Sequence, residues 1–178
     1  MKKILVLLAA LLCFTTVANA QTKPLSIEGG IGGGLSIGES DFSDFKGYNI
    51  GGKLKLDIPI FPFTVVGHVV YNALDYSNAT VKIFSVGAGV EYPILLLPVL
   101  SPYISADAAM NFFSGDISKK ITRTGAGIGV GAELAIPGLP VNFDVEAKYR
   151  FDNLFGKESN EGTTNHLQLW AQILFPLN

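Results

Sequence analysis

The chain has 178 residues, enough for one domain, and sets 13 Lys and Arg against 15 Asp and Glu for a formal charge of −2. That balance excludes the basic footprint of a nucleic-acid-binding protein, and a lone cysteine, Cys13, excludes a disulfide framework. Although 48 % of the residues are hydrophobic, no apolar run after the N-terminus reaches the ~18–20 residues of a membrane-spanning helix.

The first twenty residues read as an export signal. Lys2 and Lys3 precede the apolar run Ile4 to Leu12, and Ala18-Asn19-Ala20 supplies a small-x-small cleavage site. Leu11-Leu12 before Cys13 lacks the small residue of a lipidation signal. Cleavage after Ala20 is expected to leave one domain, 21–178, without cysteine and more acidic by the loss of two lysines.

Eight segments of period two follow, the signature of strands with two unlike faces. In the first, Leu25 to Ile37, Ile27, Ile31 and Leu35 alternate with Glu28, Gly30, Gly32, Gly34 and Ser36. The second sets Tyr48, Ile50, Leu54, Leu56, Ile58 and Ile60 against Asn49, Lys53, Lys55 and Asp57. The third, Phe63 to Leu74, alternates least clearly, with Val65, Val69 and Tyr71 opposing Thr64, His68 and Asn72. Phe84, Val86, Ala88, Val90 and Tyr92 in the fourth oppose Ser85, Gly87, Gly89 and Glu91. The run from Pro93 to Pro102 holds three prolines, which forbid a helix and mark a turn.

Ile104, Ala106, Ala108, Met110 and Phe112 in the fifth segment oppose Tyr103, Ser105, Asp107, Ala109 and Asn111. The sixth sets Ala126, Ile128, Val130, Ala132 and Leu134 against Arg123, Gly125, Gly127, Gly129, Gly131 and Glu133. The seventh, Val141 to Phe151, is the clearest: every odd position is apolar and every even one polar, with Asp144, Glu146, Lys148 and Arg150 on one face. Eleven residues is the span of a tilted strand across a bilayer. In the last, Leu167, Leu169, Ala171, Ile173 and Phe175 alternate with His166, Gln168, Trp170 and Gln172.

Proline-rich turns are expected after the second, fourth and sixth strands, long acidic loops after the first, fifth and seventh, and a shorter polar one after the third. Short turns at one rim and long loops at the other, with aromatics of the oily face near both, fit an outer-membrane barrel. Lipid supplies no hydrogen-bond partners, so only a closed sheet can cross it as strands. A soluble periplasmic barrel of the lipocalin kind has the same period with its faces exchanged. The glycines decide between them, because on the first, fourth and sixth strands they lie on the polar face. The interior of an eight-stranded barrel is only just wide enough for side chains, so glycine there makes room.

The fold expected is therefore all-β, an eight-stranded antiparallel up-and-down transmembrane β-barrel with a polar, plugged lumen. Its lumen is expected to hold a charge network of Glu28, Lys53, Lys55, Asp57, Glu91, Asp107, Arg123, Glu133, Asp144, Glu146, Lys148 and Arg150, plugged by His68, Tyr103, His166 and Trp170. Buried charges must be paired. Folding the sixth strand onto the seventh sets Glu133 opposite Asp144, which requires a cation between them, from Lys53, Lys55 or Lys148.

The chain resembles the small outer-membrane barrels of the OmpA/OmpX type, the outer membrane protein β-barrel families. The likeness is of architecture over the whole chain, ending in Trp170-Ala171-Gln172-Ile173-Leu174-Phe175, although Pro176-Leu177-Asn178 follow the terminal aromatic. It implies residence in a Gram-negative outer membrane, contact with its lipids and with the barrel-assembly machinery, and a monomer without cofactors. No peptidoglycan-binding domain is expected after the barrel.

The role expected is structural or interactive, reaching an extracellular partner through the loops. A narrow channel or small-ligand carrier is the alternative, and a lipid-modifying enzyme a further one. His68 and His166 are the only imidazole bases, and neither stands in a His-x-Ser-Asn context. Without a nucleophile–base–orienter set, no reaction follows. Asp41 and Asp44, or Glu158 and Glu161, match no calcium-loop spacing and read as solvated loop acids. Gly29-Gly30-Ile31-Gly32-Gly33-Gly34 lacks the Lys-Ser/Thr ending of a phosphate loop.

Overall fold

The computed structural model describes residues 25–177 apart from 40, 42, 60, 78, 96, 117–120 and 160. The expected export signal with Cys13, the expected strand position Ile60 and several loop residues lie outside that set. The described residues form eight strands: β1 (Ser26–Glu39), β2 (Lys46–Asp57), β3 (Thr64–Tyr76), β4 (Ala79–Pro93), β5 (Leu100–Gly115), β6 (Ile121–Ala135), β7 (Asn142–Phe155) and β8 (Asn165–Pro176). Each pairs antiparallel with the next, and β8 closes on β1. Closure leaves no free sheet edge, so each strand pairs with a neighbour on both sides.

The two faces divide as the alternation requires. On β7, Val145 is 55 % exposed while its neighbour Asp144 is fully buried. Ile128 on β6, Ile31 on β1 and Ile50 on β2 are exposed, whereas Asn49, Lys53, Lys148 and Arg150 are buried. Greasy side chains outside and charged ones inside reverse the order of a water-soluble barrel. The lipocalin-like alternative falls on this point.

The third segment alternates poorly because Val66, Val70 and Leu74 face inwards beside Thr64, His68 and Asn72. The strands run a few residues into the expected upper loops, and at the short third connection β3 and β4 nearly meet across Ser77, whose φ of 52° gives the left-handed conformation a two-residue connection needs. β7 runs on to Phe155 because Asp152 and Asn153 turn into the wall and are buried. Connections 40–45, 77–78, 116–120 and 156–164 at the upper end are thus comparable in length to 58–63, 94–99 and 136–141 at the lower. The β6–β7 register shifts between Thr124 and Ala126, an irregularity beyond which Leu154 and Phe155 are exposed.

Candidate functional site

The lumen is filled by a chain of alternating charges, most of them carried by β2 and β7. At the lower end Lys55 Nζ lies 2.6 Å from Glu133 and 2.9 Å from Glu91. Glu91 uses its other oxygen on Lys53 Nζ, at 2.8 Å. Lys53 also meets Asp144 at 2.9 Å and Glu146 at 3.1 Å, so three carboxylates surround one dehydrated ammonium. From Glu146 the chain passes to Lys148 at 3.0 Å, then to Asp107 at 2.7 Å. Arg150 Nη1 joins Asp107 at 3.1 Å, and Arg150 Nε approaches Asp152 at 3.6 Å. His166 Nδ1 completes it, 2.6 Å from Asp152.

This sequence of contacts follows from register. β6 pairs with β7 so that Glu133 stands opposite Asp144, a like-charged pair on one face. Lys55 takes one member and Lys53 the other, which removes the repulsion. Neutral donors serve the remaining lone pairs: Tyr103 Oη donates to Asp144 at 2.6 Å, Ser105 Oγ to Glu146 at 2.5 Å, and Gln172 Nε2 to Asp144 at 3.2 Å. Lys53 further lies 5.5 Å from the Trp170 ring centroid and 5.6 Å from that of Tyr103, within cation–π range.

Inward glycines give these side chains their space. A Cβ at Gly131 would stand 2.4 Å from the Tyr103 ring, and one at Gly87 would stand 2.6 Å from His68 Nε2. His68 is buried, 4.0 Å from Asp107.

Not every predicted residue joins this chain. Arg123, expected in the lumen network, lies at the upper rim instead, its guanidinium 2.6 Å from Glu161 and 3.6 Å from Glu158 of the last loop. Its place near the end of β6 puts it above the charged centre. At the lower mouth Glu28 accepts from Asn142 Nδ2 at 2.9 Å, and Asp57 accepts from Ser26 Oγ and Thr64 Oγ1.

Sequence reasoning missed Asp152 and Asn153, and it read Glu161 as a solvated loop acid, whereas that side chain is held against Arg123 with 18 % of it exposed. Asp152 is the carboxylate that holds His166, and Asn153 Nδ2 donates to Glu161 at 3.0 Å. The period of two carried one step past Phe151 would have placed Asp152 inwards; Glu161 carries no such signal.

Two groups of contacts lie at the upper mouth. Leu74, Val81, Ile83 and Phe113 form a buried apolar cluster under Phe45 and Ile121. Across from it, Arg123 holds Glu161, and the Thr163 amide donates to Asp41 at 3.0 Å, tying the last loop to the first. The Arg123 hydrogen bonds hold the Glu161 carboxyl at about 2, below the ordinary carboxylate value. A lowered folded value means that the latch stabilises the protein above about pH 4.5 and is lost as pH falls through about 2. Glu161→Gln is therefore expected to speed amide exchange in segment 156–164 at neutral pH, with the difference from the parent protein gone near pH 2.

His166 and Asp152 have the geometry of a base and its orienting carboxylate. The Nε2 atom of His166 is buried and has no hydrogen-bond partner among the described residues.

A family model described as "Outer membrane protein beta-barrel domain" matches residues 5–173. No curated protein matches the sequence. Among solved structures, the crystal structure of Neisserial surface protein A (NspA) is similar at 18 % identity and a TM-score of 0.66, over 85 % of this chain and 96 % of that one. The N-terminal β-barrel domain of Pseudomonas aeruginosa OprF is similar at 17 % identity and a TM-score of 0.51, over 84 % of this chain and 97 % of that one. At such identities the likeness is one of fold.

Proposed function

The chain belongs to the outer membrane protein beta-barrel domain family and resides in the bacterial outer membrane, and on that premise we propose that it is a non-conducting, structural and surface-interacting barrel. Its stem is stiffened by the lumen charges, and its upper rim and short polar connections are what an extracellular partner meets. The observation that carries this reading is the Lys53 ammonium held among Glu91, Asp144 and Glu146 with 1 % of its side chain exposed. An ion passing the bore would have to break three charge-assisted hydrogen bonds at once. The apolar cluster and the Arg123–Glu161 pair at the upper mouth support the same reading.

Planar-bilayer recording of the refolded protein tests this. No steady current is expected at neutral pH. A reproducible unitary conductance, altered by Lys53→Met, would favour the narrow channel.

A further inference from the structure

The lower rim is apolar beyond the ends of its strands. Connections 58–63, 94–99 and 136–141 contain no charged residue. Phe61, Ile94, Leu95, Leu97 and Leu139 within them are exposed, as is Leu177 after β8. Large apolar side chains left uncovered on all three lower turns need a non-aqueous neighbour. The upper connections are the opposite, carrying Asp41, Asp44, Asp116, Lys157 and Glu158.

The backbone of the lower turns is also suited to a medium that offers no hydrogen bonds. Pro59, Pro62, Pro98, Pro137 and Pro140 remove five amide donors. Several of the remaining donors are satisfied internally. Phe61 N donates to Ile58 O at 3.0 Å and Leu139 N to Ile136 O at 3.1 Å. Ile94 N donates to Pro102 O at 2.9 Å, and Ala135 N to Val99 O at 2.8 Å, so the ladders continue past the formal strand ends. Unsatisfied amides in hydrocarbon are costly, and each proline and each internal bond removes one.

We infer that the three lower turns are immersed in the inner, phospholipid leaflet of the outer membrane and act as the anchors that set how deep the barrel sits. The occupant is lipid because the apolar surface is a ring around a polar centre. Glu28, Lys55, Asp57 and Glu133 lie at the lower mouth inside it, and Glu133 keeps 21 % of its side chain exposed. A protein docked across this end would bury those charges, whereas a bilayer wraps the ring from the side and leaves the mouth to water. The apolar ring also continues the outer wall without a break, through Leu100, Val99 and Ile136, past the lower aromatics Tyr92 and Phe175. The aromatic belt is thus not the water boundary at this end, and the inference is independent of any role of the upper connections.

The test is spin labelling of Phe61→Cys, Leu95→Cys and Leu139→Cys in a Cys13→Ser background, with Lys157→Cys as the aqueous reference. Each variant is refolded into phosphatidylcholine nanodiscs, where both faces meet added reagents, and heat-modifiable migration certifies the fold. Collisions with oxygen should exceed those with a water-soluble nickel chelate severalfold at the three turn sites, and the order should reverse at Lys157. Nickel accessibility equal to that of Lys157 would place the turns in water and overturn the inference. So would shielding from both reagents, which would indicate a second copy packed on the rim.

Discussion

Lys53→Met is expected to lower the unfolding free energy by about 3–5 kcal/mol, the cost of removing one partner from a buried charge cluster. The lysine has three carboxylates within 3.1 Å, and methionine, similar in length, satisfies none of them. Glu91 would keep Lys55 and Glu146 would keep Lys148, but Asp144 would be left with the neutral donors Tyr103 and Gln172. Lys148→Met should cost less, because Asp107 retains Arg150. The measurement is the urea midpoint of equilibrium unfolding in phospholipid vesicles. A Lys53→Met midpoint equal to that of the parent protein would show that the cluster contributes nothing net. Lys53→Met combined with Asp144→Asn should recover part of the loss, since the stranded charge goes with its partner.

The second large effect concerns the seam that closes the barrel. Gly34 on β1 pairs with Trp170 on β8, and a Cβ built there would stand 2.0 Å from the Leu169 carbonyl oxygen. That contact is with backbone, which cannot swing aside as a side chain can. Gly34→Val is expected to force β1 and β8 apart, and with closure lost the edge amides of both strands would face lipid unpaired. Overpacking alone costs about 1–3 kcal/mol, and the opened seam adds to it. The outcome should be loss of the heat-modifiable folded band after refolding. Gly67→Val is the control: nothing lies within 4 Å of a Cβ there, so the folded band should persist. Equal folding of both variants would show that the seam tolerates a side chain.

These two cases also show what the sequence carried and what it hid. Period two was legible wherever the inner face is polar, as from Asn142 to Phe151, because lipid and lumen then demand opposite chemistry at adjacent positions. The inward glycines told which face was which, since only a crowded interior has reason to be stripped of side chains. The meeting of Glu133 and Asp144 followed from counting along a hairpin. What stayed hidden has two physical causes. Where the lumen is apolar, at Val66, Val70, Leu74, Val81 and Ile83, both faces look alike and alternation disappears. Where a strand rises into polar residues, as at Asp152 and Asn153, an inward-facing end looks like a loop. Arg123 failed differently. Its alternation places it inwards, but only its height, near the top of β6, decides that it meets the last loop and not the charged centre.

The central claim, that the oily face meets acyl chains and the charged face the bore, can be read from one pair of fluorescence measurements in vesicles of brominated phospholipid. Trp170 is the only tryptophan and is buried within the wall. Its emission should be nearly unquenched by bromine, whereas Val145→Trp in a Trp170→Phe background should be quenched strongly. Strong quenching of Trp170 with none at position 145 would contradict the account.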